Sequence, residues 1–181
     1  MAFCFPGVLL GCLAAIGCSK PPMVSGEFSV RSPAFASGEP IPKRHAYSPE
    51  GENVSPALEW SGAPADTKEW VVIVEDPIPQ REIFVSWVAY GIPGSMTGLP
   101  EGIPADQPSA AGVVQGTNDF GHLGWGGPLP HAGDAPHRFW FWVYALDAKL
   151  NLEPGATKAD VVKAMTHHIL ANGKMFGTYK R

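Results

Sequence analysis

A carboxylate ends one apolar run, a hydroxyl lies inside a second and an imidazole precedes a third. Asp76 closes the run Glu69-Trp70-Val71-Val72-Ile73-Val74-Glu75, just ahead of Pro77. Ser86 lies inside a second apolar run, Phe84 to Ile92, and His137 immediately precedes Arg138-Phe139-Trp140-Phe141-Trp142. An aspartate beside a histidine can accept from one ring nitrogen and hold the imidazole, and the other nitrogen of the protonated ring can then donate to an anion. Ser86 can donate one hydrogen bond but cannot carry positive charge. Ser86, His137 and Asp76 also have the composition of a hydrolase triad. A serine nucleophile of that kind sits on a strained strand-to-helix turn within G-x-S-x-G. No such motif surrounds Ser86, which falls inside a run read as a strand. The chain is therefore read as a non-enzyme with no catalytic residue assigned.

Of the other histidines, His122, His131, His167 and His168 show no zinc-like spacing with a carboxylate on a predicted helix, and neither a metal nor a cofactor is expected. His131 follows Gly127 by a few residues and is placed at the rim of any site built near His137. The cysteines, Cys4, Cys12 and Cys18, all precede residue 19. That excludes a disulfide framework or a cysteine-ligated zinc in the folded body. Formal net charge is −4 and no basic patch stands out, so nucleic acid is not an expected partner.

Apolar residues make up 45% of the chain and charged residues 17%, which argues for a packed core rather than disorder. With 21 glycines and 19 prolines, long helices cannot dominate and many short strands are favoured. Predicted strands cover Phe28–Ser32, Ala57–Trp60, Glu69–Glu75, Phe84–Ile92 and Arg138–Leu146. In the fourth, alternation puts Phe84, Ser86, Val88 and Tyr90 on one face and Val85, Trp87 and Ala89 on the other. In the last, Phe139, Phe141 and Val143 oppose Trp140, Trp142 and Tyr144. One helix is predicted near the end. Thr157 and Asp160 form its capping box, Val161, Met165 and Ile169 its apolar stripe, and Asn172-Gly173 its stop. Residues 94–136 are irregular, and a connection of that length is usually functional. The fold class is mainly β: an antiparallel sandwich with a large central sheet, short peripheral helices and one C-terminal helix.

Residues 1–17 carry no charge and read as a signal peptide, with an apolar core too short to span a bilayer. Ala15-Ile16-Gly17-Cys18 resembles a lipobox. It would make Cys18 the lipidated N-terminus of an envelope lipoprotein anchored to the outer membrane and facing the periplasm. Leu9-Leu10-Gly11-Cys12 and simple cleavage to a soluble form are the alternatives. Residues 18–26 then serve as a tether and 27–181 as a single domain.

Several stretches resemble one family in order. They are Asn53-Val54-Ser55-Pro56-Ala57-Leu58-Glu59-Trp60, Asp76-Pro77-Ile78-Pro79, Phe84-Val85-Ser86-Trp87, Gly116-Thr117-Asn118-Asp119-Phe120-Gly121, Gly127-Pro128-Leu129-Pro130 with His137-Arg138-Phe139, and Gly177-Thr178-Tyr179-Lys180-Arg181. Together they are similar to the phosphatidylethanolamine-binding proteins, and in particular to their bacterial Raf-kinase-inhibitor-like branch. The resemblance implies a β-sandwich with an anion pocket where the D-P and H-R elements meet. Carried over by position, its residues are Asp76, Pro77, Ser86, Trp87, Gly127, Pro128, His137 and Phe139, with Trp125 and His131 added from the glycine-rich loop. Ser86 replaces the family's usual histidine and Phe139 its usual tyrosine, so a drier, less charged pocket is expected. Three functions follow: a non-catalytic binder of a small anion or lipid headgroup, a protein-interaction module using the pocket rim, or a weak hydrolase. Arg138, on the face opposite His137, is expected to be a structural ion-pair partner.

Overall fold

A computed structural model describes residues 28–78, 82–105 and 112–181. The leader, Cys18 and the tether lie outside the described residues. The strands are β1 (Ser29–Arg31), β2 (Leu58–Ser61), β3 (Glu69–Asp76), β4 (Phe84–Pro93), β5 (Gly98–Leu99), β6 (Val114–Gln115), β7 (His137–Leu146) and β8 (Ile169–Tyr179). The helix α1 spans Lys158–Met165, and a 3₁₀ turn covers Lys43–His45. The strands form two sheets with antiparallel pairing throughout: β1-β2-β5, and the larger β6-β4-β3-β7-β8.

β3 lies at the centre of the large sheet and is buried on both faces, so its alternation feeds two cores. Trp70, Val72 and Val74 pack with Leu58 and Trp60 of the small sheet and with Phe139, Phe141 and Val143 of β7. Val71 and Ile73 pack on the other face with Tyr90, Leu146, Val161 and Met165, where α1 forms the outer layer. The molecule is thus small sheet, large sheet, helix, each layer burying the apolar face of the next. Burying one such core side chain contributes about 1.5–3 kcal/mol.

Two departures from the sequence reading are informative. The predicted helix is shorter than its apolar stripe. The capping box forms as expected, with Thr157 Oγ1 accepting from Asp160 N at 3.3 Å and Thr157 N donating to Asp160 Oδ2 at 3.0 Å. But α1 stops at Met165, His167 adopts φ +72°, and Ile169 opens β8, opposite Leu146. The β8 ladder to β7 runs along the whole of β7, and those backbone bonds outweigh one more helical turn of an isolated stripe. Gly173 is not a helix stop. It faces Val143 across the ladder, and a Cβ there would overlap the Phe28 ring.

The second departure lies in β4. Val74 faces Trp87 and Glu75 faces Val85, so Ser86 is the extra residue of a β-bulge. The bulge reverses alternation. Val85 joins Val88 and Tyr90 in the helix-side core, whereas Trp87 and Ala89 enter the inter-sheet core. Simple period-two counting instead puts Val85 with Trp87. In β7 the alternation holds, and Phe139, Phe141 and Val143 are buried while Trp140, Trp142 and Tyr144 are half-buried.

Candidate functional site: a histidine between carboxylates beside a bulged serine

Asp76 ends β3 because Pro77 has no N–H to continue the ladder. The chain turns there, with Ile78 N donating to Asp76 O at 3.0 Å. β7 is the neighbour of β3 and begins at His137, so the pairing itself brings both residues to one end of the sheet. His137 Nδ1 and Asp76 Oδ2 are 2.5 Å apart, and both side chains are almost wholly buried. Burial pushes the Asp76 carboxyl above its ordinary value, and the hydrogen bond and charge of His137 pull it partly back.

The Ser86 bulge is held by the long connection between β6 and β7. Asp119 N donates to Val85 O at 2.9 Å, Val85 N donates to Asp119 Oδ2 at 2.7 Å, and Gly126 N donates to Ser86 O at 2.8 Å. Asn118 shapes that connection, its Oδ1 accepting from Phe120 N and His122 N and its Nδ2 donating to Gly124 O. Gly127 N donates to Asn53 Oδ1 at 2.8 Å, and Tyr47 N to Pro128 O at 3.2 Å. The consequence is a wall fixed from three segments distant in sequence.

These elements enclose a cavity of about 630 Å³. Its buried lining includes Asp76, Ser86 and Phe139, its apolar sides Ile78, Phe84 and Leu129, and its exposed edge Ile83 and His131. Ser86 Oγ is fully buried and has no hydrogen-bond partner among the described residues. A buried hydroxyl without a partner costs about 1–3 kcal/mol.

Of the residues singled out in the sequence, Asp76, Ser86, Gly127, His131, His137 and Phe139 line this one cavity. Pro77 instead lines an adjoining recess of about 580 Å³ with Asp134, Arg138 and Trp140. Trp87 is buried behind the wall, its Nε1 donating to Gln115 Oε1 at 2.8 Å. Trp125 is also buried and edge-on to Trp87, with Nε1 donating to His45 O at 3.0 Å. Pro128 serves through its carbonyl. These last three shape the wall from outside the lining. Arg138 stands over the Phe176 ring at 5.8 Å and makes no ion pair among the described residues, so the expected structural ion pair is not seen there.

Sequence reasoning passes over Asp134, whose Oδ2 lies 3.4 Å from His137 Nε2 and 3.8 Å from His131 Nδ1. It also passes over Phe120, Asp119 and Glu82 in the lining. Asp134 closes the turn His131-Ala132-Gly133-Asp134, its N donating to His131 O at 3.2 Å, an ordinary place for an aspartate. Only its spacing of three from His137 could have flagged it. Among the described residues no three His, Cys, Asp or Glu side chains are gathered to hold a metal ion.

The family model for phosphatidylethanolamine-binding protein matches residues 31–180. The chain belongs to the phosphatidylethanolamine-binding protein family. Among its relatives is a UPF0098 protein of Methanothermobacter thermautotrophicus, 42% identical over 153 residues, covering 84% of this chain and 99% of that one. The crystal structure of Escherichia coli YbcL, described as a member of the mammalian PEBP family, superposes with a TM-score of 0.79. It has 35% identity and covers 86% of this chain and 99% of that one. A Mycobacterium tuberculosis protein named "Putative lipoprotein LppC" is 34% identical over 166 residues, 91% of this chain and 78% of that one. Family membership goes with ligand binding, and the cavity just described lies where the family's D-P and H-R elements meet in this chain.

Proposed function

We propose that this chain is a non-catalytic binding protein of the cell envelope whose cavity holds a small anionic group, such as phosphate, a carboxylate or a phospholipid headgroup. The observation that carries the reading is that Ser86, with its hydroxyl buried and partnerless, lines the same cavity as the hydrogen-bonded Asp76–His137 pair. An anion entering there would accept from Ser86 Oγ and, with Nδ1 donating to Asp76, from the Nε2–H that the protonated His137 ring carries. The apolar sides, Ile78, Phe84 and Leu129, suit the carbon portion of such a ligand. Hydrolysis is not favoured, because Ser86 Oγ makes no hydrogen bond to His137 or to any other described residue that could take its proton.

The test is a titration with phosphate, acetate and phosphoethanolamine, following the His137 imidazole resonances. A saturable shift of those resonances that Ser86→Ala weakens is expected, together with loss of the binding heat by calorimetry in His137→Ala. No saturable shift with any of the ligands refutes the reading. For location, we propose export and lipidation at Cys18. The apolar leader and the named lipoprotein relative support this, and no described helix is long and apolar enough to cross a membrane. An intact mass showing an unmodified Cys18 after membrane extraction would overturn it.

A further inference from the structure

His137 is engaged on both ring nitrogens by carboxylates, Asp76 Oδ2 at 2.5 Å from Nδ1 and Asp134 Oδ2 at 3.4 Å from Nε2. The two aspartates are not equivalent. Asp76 is buried, belongs to β3 and is fixed by the sheet. Asp134 is partly exposed, with its side chain 44% accessible, and belongs to the turn between His131 and His137. Its Oδ2 also lies 3.8 Å from His131 Nδ1, so one carboxylate oxygen stands between two imidazoles. That is the environment an incoming anion would seek. The approach of Asp134 to Nε2 is a charge contact rather than an aligned hydrogen bond, and a carboxylate standing there fills space and carries charge that an incoming anion would meet. His137 lines both the cavity and the adjoining recess, and the Asp134 carboxylate reaches it from the recess side.

We infer that Asp134 is a built-in competitor for the anion site, so that a ligand must displace this carboxylate from His137 Nε2 before it can bind. The inference rests on the binding function proposed above and adds what regulates it. Asp119 and Glu82 also line the cavity, and among the described residues no lysine or arginine does. A dianion therefore meets more repulsion than a monoanion, and Asp134 is the negative charge that stands against the donor it needs. The loose contact and partial exposure of Asp134 make displacement inexpensive, as for an exposed ion pair. The site thus favours singly charged groups and discriminates against doubly charged ones.

The experiment compares the full chain with Asp134→Asn and Asp66→Asn, each titrated with acetate and with inorganic phosphate at constant ionic strength. Asp66 is exposed and precedes β3 at the end remote from Asp76, so its substitution changes net charge by the same amount elsewhere. Removing Asp134 should raise acetate affinity about fivefold and phosphate affinity more, as expected for one partly exposed charge pair. Asp66→Asn should change neither by as much as about twofold. An equal gain in both variants overturns the competitor in favour of a general field effect. Unchanged or weaker binding in Asp134→Asn, with wild-type binding intact, makes Asp134 a bystander or a ligand contact and overturns the inference alone. Binding in none of the proteins removes the anion site and its competitor together. Retention of wild-type amide resonances outside residues 131–137 shows that the variant keeps its fold.

Discussion

Gly127→Ala is the sharpest test of how the cavity wall is built. A Cβ at Gly127 would fall well inside contact distance of the His45 carbonyl oxygen and within 2.8 Å of Ala46 C and Tyr47 N. All three are backbone atoms at or just after the 3₁₀ turn, so no side chain can rotate away. That segment is itself held, by Trp125 Nε1 on His45 O and by Tyr47 N on Pro128 O. Overpacking of this kind costs about 1–3 kcal/mol. Loss of the 2.8 Å bond from Gly127 N to Asn53 Oδ1 adds about 1 kcal/mol. A total of about 3 kcal/mol lowers the midpoint of thermal unfolding by roughly 6–12 °C for a domain of this size. Gly121 supplies the comparison. It has φ +80° but open space within 4 Å of where a Cβ would stand, so Gly121→Ala carries only backbone strain, about 1 kcal/mol. Thermal denaturation of both variants by circular dichroism decides the matter. If Gly127→Ala is no less stable than Gly121→Ala, the close approach of these two segments is wrong. The anion titration on Gly127→Ala should also weaken, since the wall must move.

Three further outcomes follow from the same reading. Glu69 is buried and accepts from Gly91 N and Leu150 N, yet burial raises its carboxyl above the ordinary value. The folded chain therefore binds this proton more tightly than the unfolded chain. Its contribution to stability falls as pH rises from about 4.5 through the folded value, and is flat above it. Urea denaturation between about pH 4 and 7 should show that slope flattened in Glu69→Gln, with about 1–2 kcal/mol lost at neutral pH. Thr157→Ala removes one half of the capping box and should cost about 1 kcal/mol by the same denaturation, with no effect on ligand titration. Asp76→Asn should reduce anion affinity, because a neutral amide no longer stabilises a protonated His137 ring by charge, and the loss should appear in ligand titration before it appears in melting.

The strands were legible because both faces of β3 and one face of β7 are dictated by burial, and period two survives in sequence wherever burial alternates. Asp76 and His137 were legible as partners because each bounds a run of that kind and the family motifs contain both. What was not legible depended on pairing across the sheet. The Ser86 bulge has no local signature; it exists because residues 119–126 bind Val85 and Ser86 from outside the ladder. The end of α1 is misread because Ile169 satisfies a helical spacing from Met165, while its partner, Leu146, is distant in sequence. Trp125 resembles a ligand platform because it lies in a glycine-rich loop, but its indole N–H finds a carbonyl, and a satisfied tryptophan belongs to the core. Asp134 is missed for the opposite reason. Its turn chemistry explains it fully until His137 is seen beside it.

The order of strands in the large sheet also governs when it can form. β3 emerges early, but one of its two neighbours, β7, lies far downstream beyond the long irregular connection, and β8 covers the far edge of β7 last of all. During synthesis the β3–β4 pair must wait with one apolar edge uncovered until β7 arrives, and long-range closure of this kind is slow. A nascent chain halted before residue 137 thus has no wall for either core on the β7 side. It stays open to whatever machinery handles unfolded chains until β7 and β8 have been made.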